Sequence, residues 1–128
     1  MTATADRPPA EAVELIQRWC IQMVPETNEL LYRVEAKARG NRVTIVERHY
    51  LGSMPKNPFT GELLPDDWSA GPIAQLRYLP IAGRELAWSL YWMRQTGRWE
   101  YYAGHGTAGS PEPLLAEIER DPDGVFFG

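Results

Sequence analysis

The segment ELLYRVEAKARGNRVTIVERHYL, residues 29–51, constrains the fold of this chain more than any other. Apolar and polar side chains alternate from Leu30 to Lys37 and again from Val43 to Arg48. A period of two residues is typical of a β-strand that has one buried side. Between the two runs, Gly40-Asn41 is the kind of pair that makes a tight turn. The segment therefore predicts a β-hairpin over residues 30–50.

The rest of the chain supplies helices and further strands around this hairpin. Residues 11–24 carry an apolar helical stripe that ends at Pro25, and alternating patterns predict strands at 73–79, 86–95 and 98–103. A short C-terminal helix follows, with the apolar stripe Leu114, Leu115 and Ile118. The order α-β-β-β-β-β-α predicts an α+β fold, in which a single antiparallel sheet of about five strands is flanked by an N-terminal helix and a short C-terminal helix.

Length and composition predict one domain over residues 11–128, preceded by a flexible tail at 1–10. The chain has one cysteine, which excludes an internal disulfide and a cysteine-based metal cluster. We find neither an apolar run long enough to cross a membrane nor a signal peptide, so the sequence indicates a cytoplasmic protein without membrane contact. Residues 52–72, rich in proline and glycine, predict a long loop that could act as a lid, and the closing DGVFFG is expected to dock on the domain.

Motifs for catalysis, cofactors and metals are weak. GHGTAG, residues 104–109, matches the glycine pattern of dinucleotide-binding loops, but its helix contains two prolines and no strand follows. His49 and His105 lack metal-ligand spacing, and we assign no catalytic residue, no metal and no cofactor. The sequence leaves open whether Glu47, Arg48 and His49 form a site. A small enzyme of unknown reaction is therefore a functional hypothesis, but it ranks third, behind two binding hypotheses.

The segment LAWSLYWMRQTGRWEYY, residues 86–102, predicts an aromatic hairpin with Thr96-Gly97 as a two-residue turn. That register places one set of side chains on the core side, with Arg94 stacked on Trp99: Leu86, Trp88, Leu90, Trp92, Arg94, Trp99 and Tyr101. The other side of the sheet then carries Tyr91, Met93, Tyr102 and Tyr78, a composition that interfaces favour.

Charge is divided unevenly along the chain. The net charge is −4, yet residues 30–50 carry five basic and two acidic side chains, and residues 73–110 carry four basic and two acidic ones. A basic sheet beside acidic helices could bind an anion or could neutralise itself within the molecule.

These patterns favour a non-enzymatic module that binds a protein partner or forms a homodimer. The alternative is that the basic, aromatic sheet binds an anionic ligand, most plausibly nucleic acid. Both hypotheses draw on the same candidate binding residues: Tyr78, Tyr91, Met93, Tyr102, Arg48, Arg77, Arg94 and Trp99.

Four ordered blocks carry a resemblance to a known family: RGNRVTIVERH, PIAQLRY, WSLYWMRQTGRWEYY and LLAEIERDPDGVFFG. With the opening helix that ends in RWCIQMVP, residues 11–128 resemble the small bacterial proteins of domain-of-unknown-function family 3024. No activity, cofactor or catalytic residue is established for that family. The resemblance therefore implies the extent of the fold and a bacterial source, and it implies no function.

Overall fold

The structure, a computed structural model, describes residues 7–25, 31–50, 59–60, 69–80 and 86–127. Within these residues lie two helices and five strands: α1 (Ala10–Gln22), β1 (Tyr32–Arg39), β2 (Arg42–His49), β3 (Gly71–Pro80), β4 (Leu86–Met93), β5 (Trp99–Tyr101) and α2 (Glu112–Arg120). The strands form one antiparallel sheet in the order β1-β2-β3-β4-β5. The predicted α+β fold with the order α-β-β-β-β-β-α is confirmed.

The β1–β2 hairpin forms as its alternation predicts. Arg39 and Arg42 pair across the turn, where Gly40 adopts a φ of +60°. Glycine suits this left-handed conformation because it has no Cβ atom to clash. Farther along β2, the register with β3 shifts between Ile45 and Val46, as at a β-bulge.

Both helices pack on one side of the sheet, which we call the helix side; the opposite side is the outer face. Because successive side chains of a strand point to opposite sides, each strand gives every second residue to the core. Strand and helix side chains meet in one buried cluster that includes Ile16, Cys20, Val43, Ile45, Leu76, Trp88, Leu90, Leu114 and Ile118. Trp88 and Leu90 are 1% and 0% exposed, as predicted for the core side, and Trp92 packs partly buried against the cluster.

The β4–β5 hairpin differs from its predicted register by one residue. The Arg94 N–H donates to the Arg98 carbonyl at 2.9 Å, so the turn consists of residues 95–97 and ends on Gly97 with φ +84°. Loops of this length often end with a glycine in the left-handed region. Trp92 therefore pairs with Glu100, whereas the predicted two-residue turn at Thr96-Gly97 would have paired it with Tyr101, and that register is wrong. A shift of one residue moves every side chain of β5 to the opposite side of the sheet.

Tyr102 consequently lies in the core. It is 4% exposed, its ring centroid is 5.2 Å from that of Phe126, and its hydroxyl donates to Glu117 Oε2 at 2.7 Å. Burial, this hydrogen bond and the nearby carboxylates raise the pKa of Tyr102 to about 12. The contact joins the sheet to α2.

The C-terminal segment docks through Asp121, which follows α2 with a φ of 41°. Its carboxylate accepts hydrogen bonds from the backbone N–H groups of Phe126 at 3.0 Å and Phe127 at 2.8 Å. Phe126 is 7% exposed, and Phe127 is 37% exposed. The predicted docking thus buries one of the two rings.

Parts of two predicted segments fall outside the described residues. Of the predicted 52–72 loop, the structure describes residues 59–60 and 69–72, where Phe59 is 94% exposed and Gly71 already begins β3. The proposed lid otherwise falls in undescribed sequence. Of the predicted 1–10 tail, residues 7–10 are described, and Ala10 belongs to α1. Neither described helix has the length and apolar character that crossing a bilayer requires.

Candidate functional site

The outer face of the sheet gathers most of the predicted binding residues. Strand register and alternation place basic side chains on β1, β2 and β3, and aromatic side chains on β4 and β5. The charged, polar and aromatic members are Arg33, Glu35, Lys37, Arg39, Arg42, Thr44, Arg48, Gln75, Arg77, Ser89, Tyr91, Trp99 and Tyr101, with Met93 beside the rings. The sheet therefore has a basic end that adjoins an aromatic end.

The basic end carries more positive than negative side chains among the described strand residues. Six basic side chains and the single carboxylate of Glu35 occupy these positions, which gives a net charge of +5 in a chain whose total is −4. Glu35 pairs with Arg48 at 3.4 Å. Four other cations form no salt bridge with a described carboxylate: Lys37, Arg39, Arg42 and Arg77. Such a field attracts anions.

Arg42 and Arg77 place two positive charges next to each other. They are cross-strand partners in the β2–β3 pair. Burial lowers the pKa of Arg77, and the positive charge of Arg42 lowers it further. An arginine remains protonated at neutral pH in spite of such effects. The two like charges therefore stay side by side, and an anion between them would relieve their repulsion.

Arg77 is also held in a fixed orientation. Its Cζ lies 3.8 Å from the centroid of the Tyr91 ring, and its Nε–H donates to Gln75 Oε1 at 2.7 Å. Gln75, which is 5% exposed, in turn donates from Nε2 to Thr44 Oγ1 at 2.9 Å. A guanidinium stacked on a ring and bonded at Nε is pre-organised, so less rotamer entropy is lost when it binds a ligand.

The aromatic end lies directly beside this stack. The rings of Tyr91 and Tyr101 meet edge to face, with centroids 5.7 Å apart and an interplanar angle of 71°. Met93 pairs with Trp99 on the same side of the sheet. Tyr101 is 40% exposed, and the other three side chains are half-buried. Solvent can therefore reach ring surface next to the cations.

Three of the predicted binding residues lie elsewhere. Tyr78 and Tyr102 are on the helix side, where Tyr78 lies against Trp88 with ring centroids 5.1 Å apart. Arg94 forms a salt bridge with Glu100 at 2.7 Å, and the predicted stack on Trp99 is wrong because the register shift moves Trp99 to the outer face. The remaining five lie together on the outer face: Arg48, Arg77, Tyr91, Met93 and Trp99.

Sequence reasoning missed Tyr101, which its register assigned to the core. Lys37, Arg39 and Arg42 belong to the basic segment of residues 30–50, but the sequence pattern does not single them out as binding residues. The sequence feature that could have placed Tyr101 on the outer face is Gly97. A glycine there fits the last position of a three-residue turn as well as the second position of a two-residue turn.

Glu47, Arg48 and His49 do not converge on one site. Glu47 and His49 lie on the helix side, where the Tyr32 hydroxyl donates to Glu47 Oε2 at 3.1 Å and His49 Nε2 lies 3.8 Å from the same oxygen. Burial and the charge of Glu47 raise the pKa of Tyr32 to about 12. Arg48 points to the outer face. The three-residue site considered from the sequence is therefore divided between the two sides of the sheet.

A cavity of about 370 Å³ lies between the two helices. Sequence reasoning gave no sign of it. Its walls are Leu15, Arg18, Trp19, Gln22, Glu112, Leu115, Ala116 and Glu119, and the Trp19 Nε1–H donates to Glu119 Oε1 at 2.9 Å across it. Nowhere in the described part of the chain do three or more histidine, cysteine, aspartate or glutamate side chains gather as a metal site would need.

The GHGTAG segment has a structural role instead of a phosphate-binding one. Ala108 and Trp88 exchange backbone hydrogen bonds at 2.7 and 2.9 Å, so the segment runs antiparallel to β4. A Cβ atom at Gly104 would lie 2.7 Å from Cζ of Tyr102, and Gly106 has a φ of +88°. Gly104 therefore leaves room for the Tyr102 ring, and Gly106 permits the turn. A dinucleotide-binding loop would also need a parallel βαβ unit, which the described sheet lacks.

Comparison with known proteins identifies a family. No curated protein and no solved structure is significantly similar to the chain. One family model, described as a domain of unknown function (DUF3024), matches residues 5–128. That match covers essentially the whole chain, and it agrees with the four sequence blocks and with the extent of the sheet and helices. The chain belongs to the DUF3024 family.

Proposed function

We propose that this protein is a non-enzymatic binding module and that its outer face binds an anionic partner. The observation that carries the proposal is the formal charge of +5 summed over the described strand residues of that face, which includes the neighbouring pair Arg42 and Arg77 without a described carboxylate partner. In a protein with a total charge of −4, this local excess of positive charge attracts an anionic ligand to the outer face.

Self-association through this face has less support than the sequence suggested. Tyr78 and Tyr102 belong to the helix side, which removes two aromatic residues from the predicted seam. A two-fold dimer would bring the same patch of both copies together. Each copy would then present a charge of +5 to the other, and the repulsion opposes the contact.

We also propose that the protein is located in the bacterial cytoplasm. The single cysteine, Cys20, is buried in the core as a free thiol, and a reducing compartment suits it. Fractionation of cells that express the tagged full chain tests this placement, and recovery from the periplasm or the medium would contradict it.

The binding proposal is tested with a labelled abasic deoxyribose-phosphate strand of about 12 residues, which supplies phosphates without bases. Fluorescence anisotropy should show binding at about 50 mM salt that weakens as salt rises, with a log–log slope of about −0.7 for each phosphate contact. Arg42→Gln should weaken binding and reduce the slope by about 0.7. Arg18→Gln is the matched control, because Arg18 lies on α1, on the other side of the molecule.

Two outcomes would overturn the proposal. One is that neither the abasic strand nor a polyglutamate peptide of the same charge binds at low salt. The other is that Arg18→Gln weakens binding as much as Arg42→Gln, since the attraction would then come from the whole molecule and not from the outer face.

A further inference from the structure

We infer, on the basis of the proposed function, that the anionic partner is single-stranded nucleic acid, with its phosphates on Arg42 and Arg77 and a base on the exposed ring of Tyr101. The inference rests on the position of the two ends of the outer face relative to each other. Proteins that bind single strands without sequence preference combine a cationic track for the backbone with aromatic rings on which bases stack.

The cations and the ring follow one another across the strands. Arg42 on β2 pairs with Arg77 on β3, Arg77 stacks on Tyr91 of β4, and Tyr91 pairs with Tyr101 of β5. Four adjacent strands span three strand spacings, or about 14 Å. That length accommodates a few nucleotides of a single strand.

The Arg77–Tyr91 stack suits a base as well as a phosphate. The guanidinium Cζ lies over the Tyr91 ring, 3.8 Å from its centroid, and the Arg77 side chain is half-buried. Unstacked bases pack on guanidinium planes as well as on aromatic rings. The neighbouring Tyr101 ring, 40% exposed, offers a second flat surface. Bases in a duplex have their faces covered by the stack, so these surfaces favour a single strand.

An acidic peptide would meet the same cations, but it would leave the rings without a stacking partner. The adjacency of ring and cation is therefore what separates the two classes of ligand. Their comparison is part of the test, because a polyglutamate peptide carries charge and no planar base.

The experiment compares three labelled probes of about 12 units on the full chain by fluorescence anisotropy: oligothymidylate, the abasic strand and polyglutamate. Stacking of one base should make oligothymidylate bind at least about five-fold more tightly than the abasic strand. Tyr101→Leu should remove this preference without changing the affinity for the abasic strand. Tyr101→Phe, which keeps the ring, should retain it.

Phe127→Leu is the matched control. Phe127 is 37% exposed, close to the 40% of Tyr101, but it lies on the C-terminal segment and not on the outer face. Arg42→Gln should weaken oligothymidylate and abasic strand by the same factor. The comparison of probes on the unaltered protein needs no variant, so a folding defect in Tyr101→Leu, checked by its melting temperature, leaves that part of the test intact.

Three results would overturn the inference: equal affinity for oligothymidylate and the abasic strand, polyglutamate binding as tightly as oligothymidylate, or the same loss of preference in Phe127→Leu as in Tyr101→Leu. If the first result comes with weaker binding of both strands by Arg42→Gln, the proposed anion-binding function stands and only the choice of nucleic acid fails. If no probe binds at low salt, both fail.

Discussion

Replacing Tyr102 by phenylalanine tests the register of the aromatic hairpin and the contact that joins it to α2. The substitution removes one hydroxyl and keeps the ring that packs on Phe126. The hydroxyl donates to Glu117 Oε2 at 2.7 Å, between side chains that are 4% and 6% exposed. Arg120 Nη1 still donates to the other oxygen, Oε1, at 3.4 Å, but the loss of the Tyr102 hydrogen bond to this buried carboxylate is expected to destabilise the fold by about 1.5–3 kcal/mol. For a domain of this size, that corresponds to a fall in melting temperature of about 6–12 °C.

Tyr101→Phe is the matched control, one residue away. Tyr101 is 40% exposed and on the outer face, so its hydroxyl should contribute less than about 0.5 kcal/mol. Urea and thermal unfolding, followed by circular dichroism, measure both variants. If Tyr101→Phe lowers the stability and Tyr102→Phe does not, the three-residue turn is wrong and the two-residue register is right.

A double-mutant cycle separates the contribution of the charge of Glu117 from that of a neutral hydrogen bond. With Glu117→Gln in place, the amide oxygen can still accept from Tyr102, and the loss caused by Tyr102→Phe should fall to about 1 kcal/mol, the value of a neutral bond. An unchanged loss in the Glu117→Gln background would show that the charge of Glu117 contributes nothing to the contact.

The other predictions concern buried groups and glycine. Cys20, 1% exposed and with its pKa raised to about 12 by burial and by the charge of Glu35, should not react with a thiol reagent at pH 8 until urea unfolds the chain, and immediate reaction would contradict its burial. Gly104→Ala should destabilise the fold by about 1–3 kcal/mol, because the new Cβ would lie within 3 Å of the Tyr102 ring, whereas Gly109→Ala, which meets nothing within 4 Å, should be nearly neutral in urea unfolding. Since the pKa values of Cys20, Tyr32 and Tyr102 rise from 9.0, 10.0 and 10.0 to about 12 in the folded state, their contribution to stability is complete below pH 9 and is lost as the pH rises toward 12, which alkaline unfolding curves should show.

The sequence was sufficient for the first hairpin because local and periodic signals agreed there. Alternation in β1 and β2 has one apolar side, and a one-residue slip would have turned Val43 and Ile45 to the outer face. The turn at Gly40-Asn41 also allows only one reading. Fold class, helix positions and the order of the elements along the chain followed from such signals, and the helix and strand ends differ from their predicted bounds by a few residues at most.

The second hairpin could not be settled in this way. Both sides of residues 86–102 carry aromatic rings, so the apolar pattern fits either register almost equally well. What distinguishes them is the bond between Tyr102 and Glu117, residues that are 15 positions apart and on different elements. A contact made by tertiary packing leaves no periodic trace in the sequence. The same reason limits prediction of the candidate site. The sequence shows the charge of the basic strands, but the position of the Tyr101 ring beside them depends on the register.

The neighbour-to-neighbour order of the five strands has a consequence for how the chain folds. Each strand pairs with the next one along the chain, and two of the connections are tight turns, so little loop entropy opposes the growth of the sheet from either hairpin. The α1–α2 contact is of a different kind, because its hydrogen bond joins Trp19 to Glu119, 100 positions away. We therefore expect this contact to form after the rate-limiting step. Trp19→Phe should speed unfolding and leave the folding rate nearly unchanged in stopped-flow experiments, and a large fall in the folding rate would place the helix pair in the nucleus.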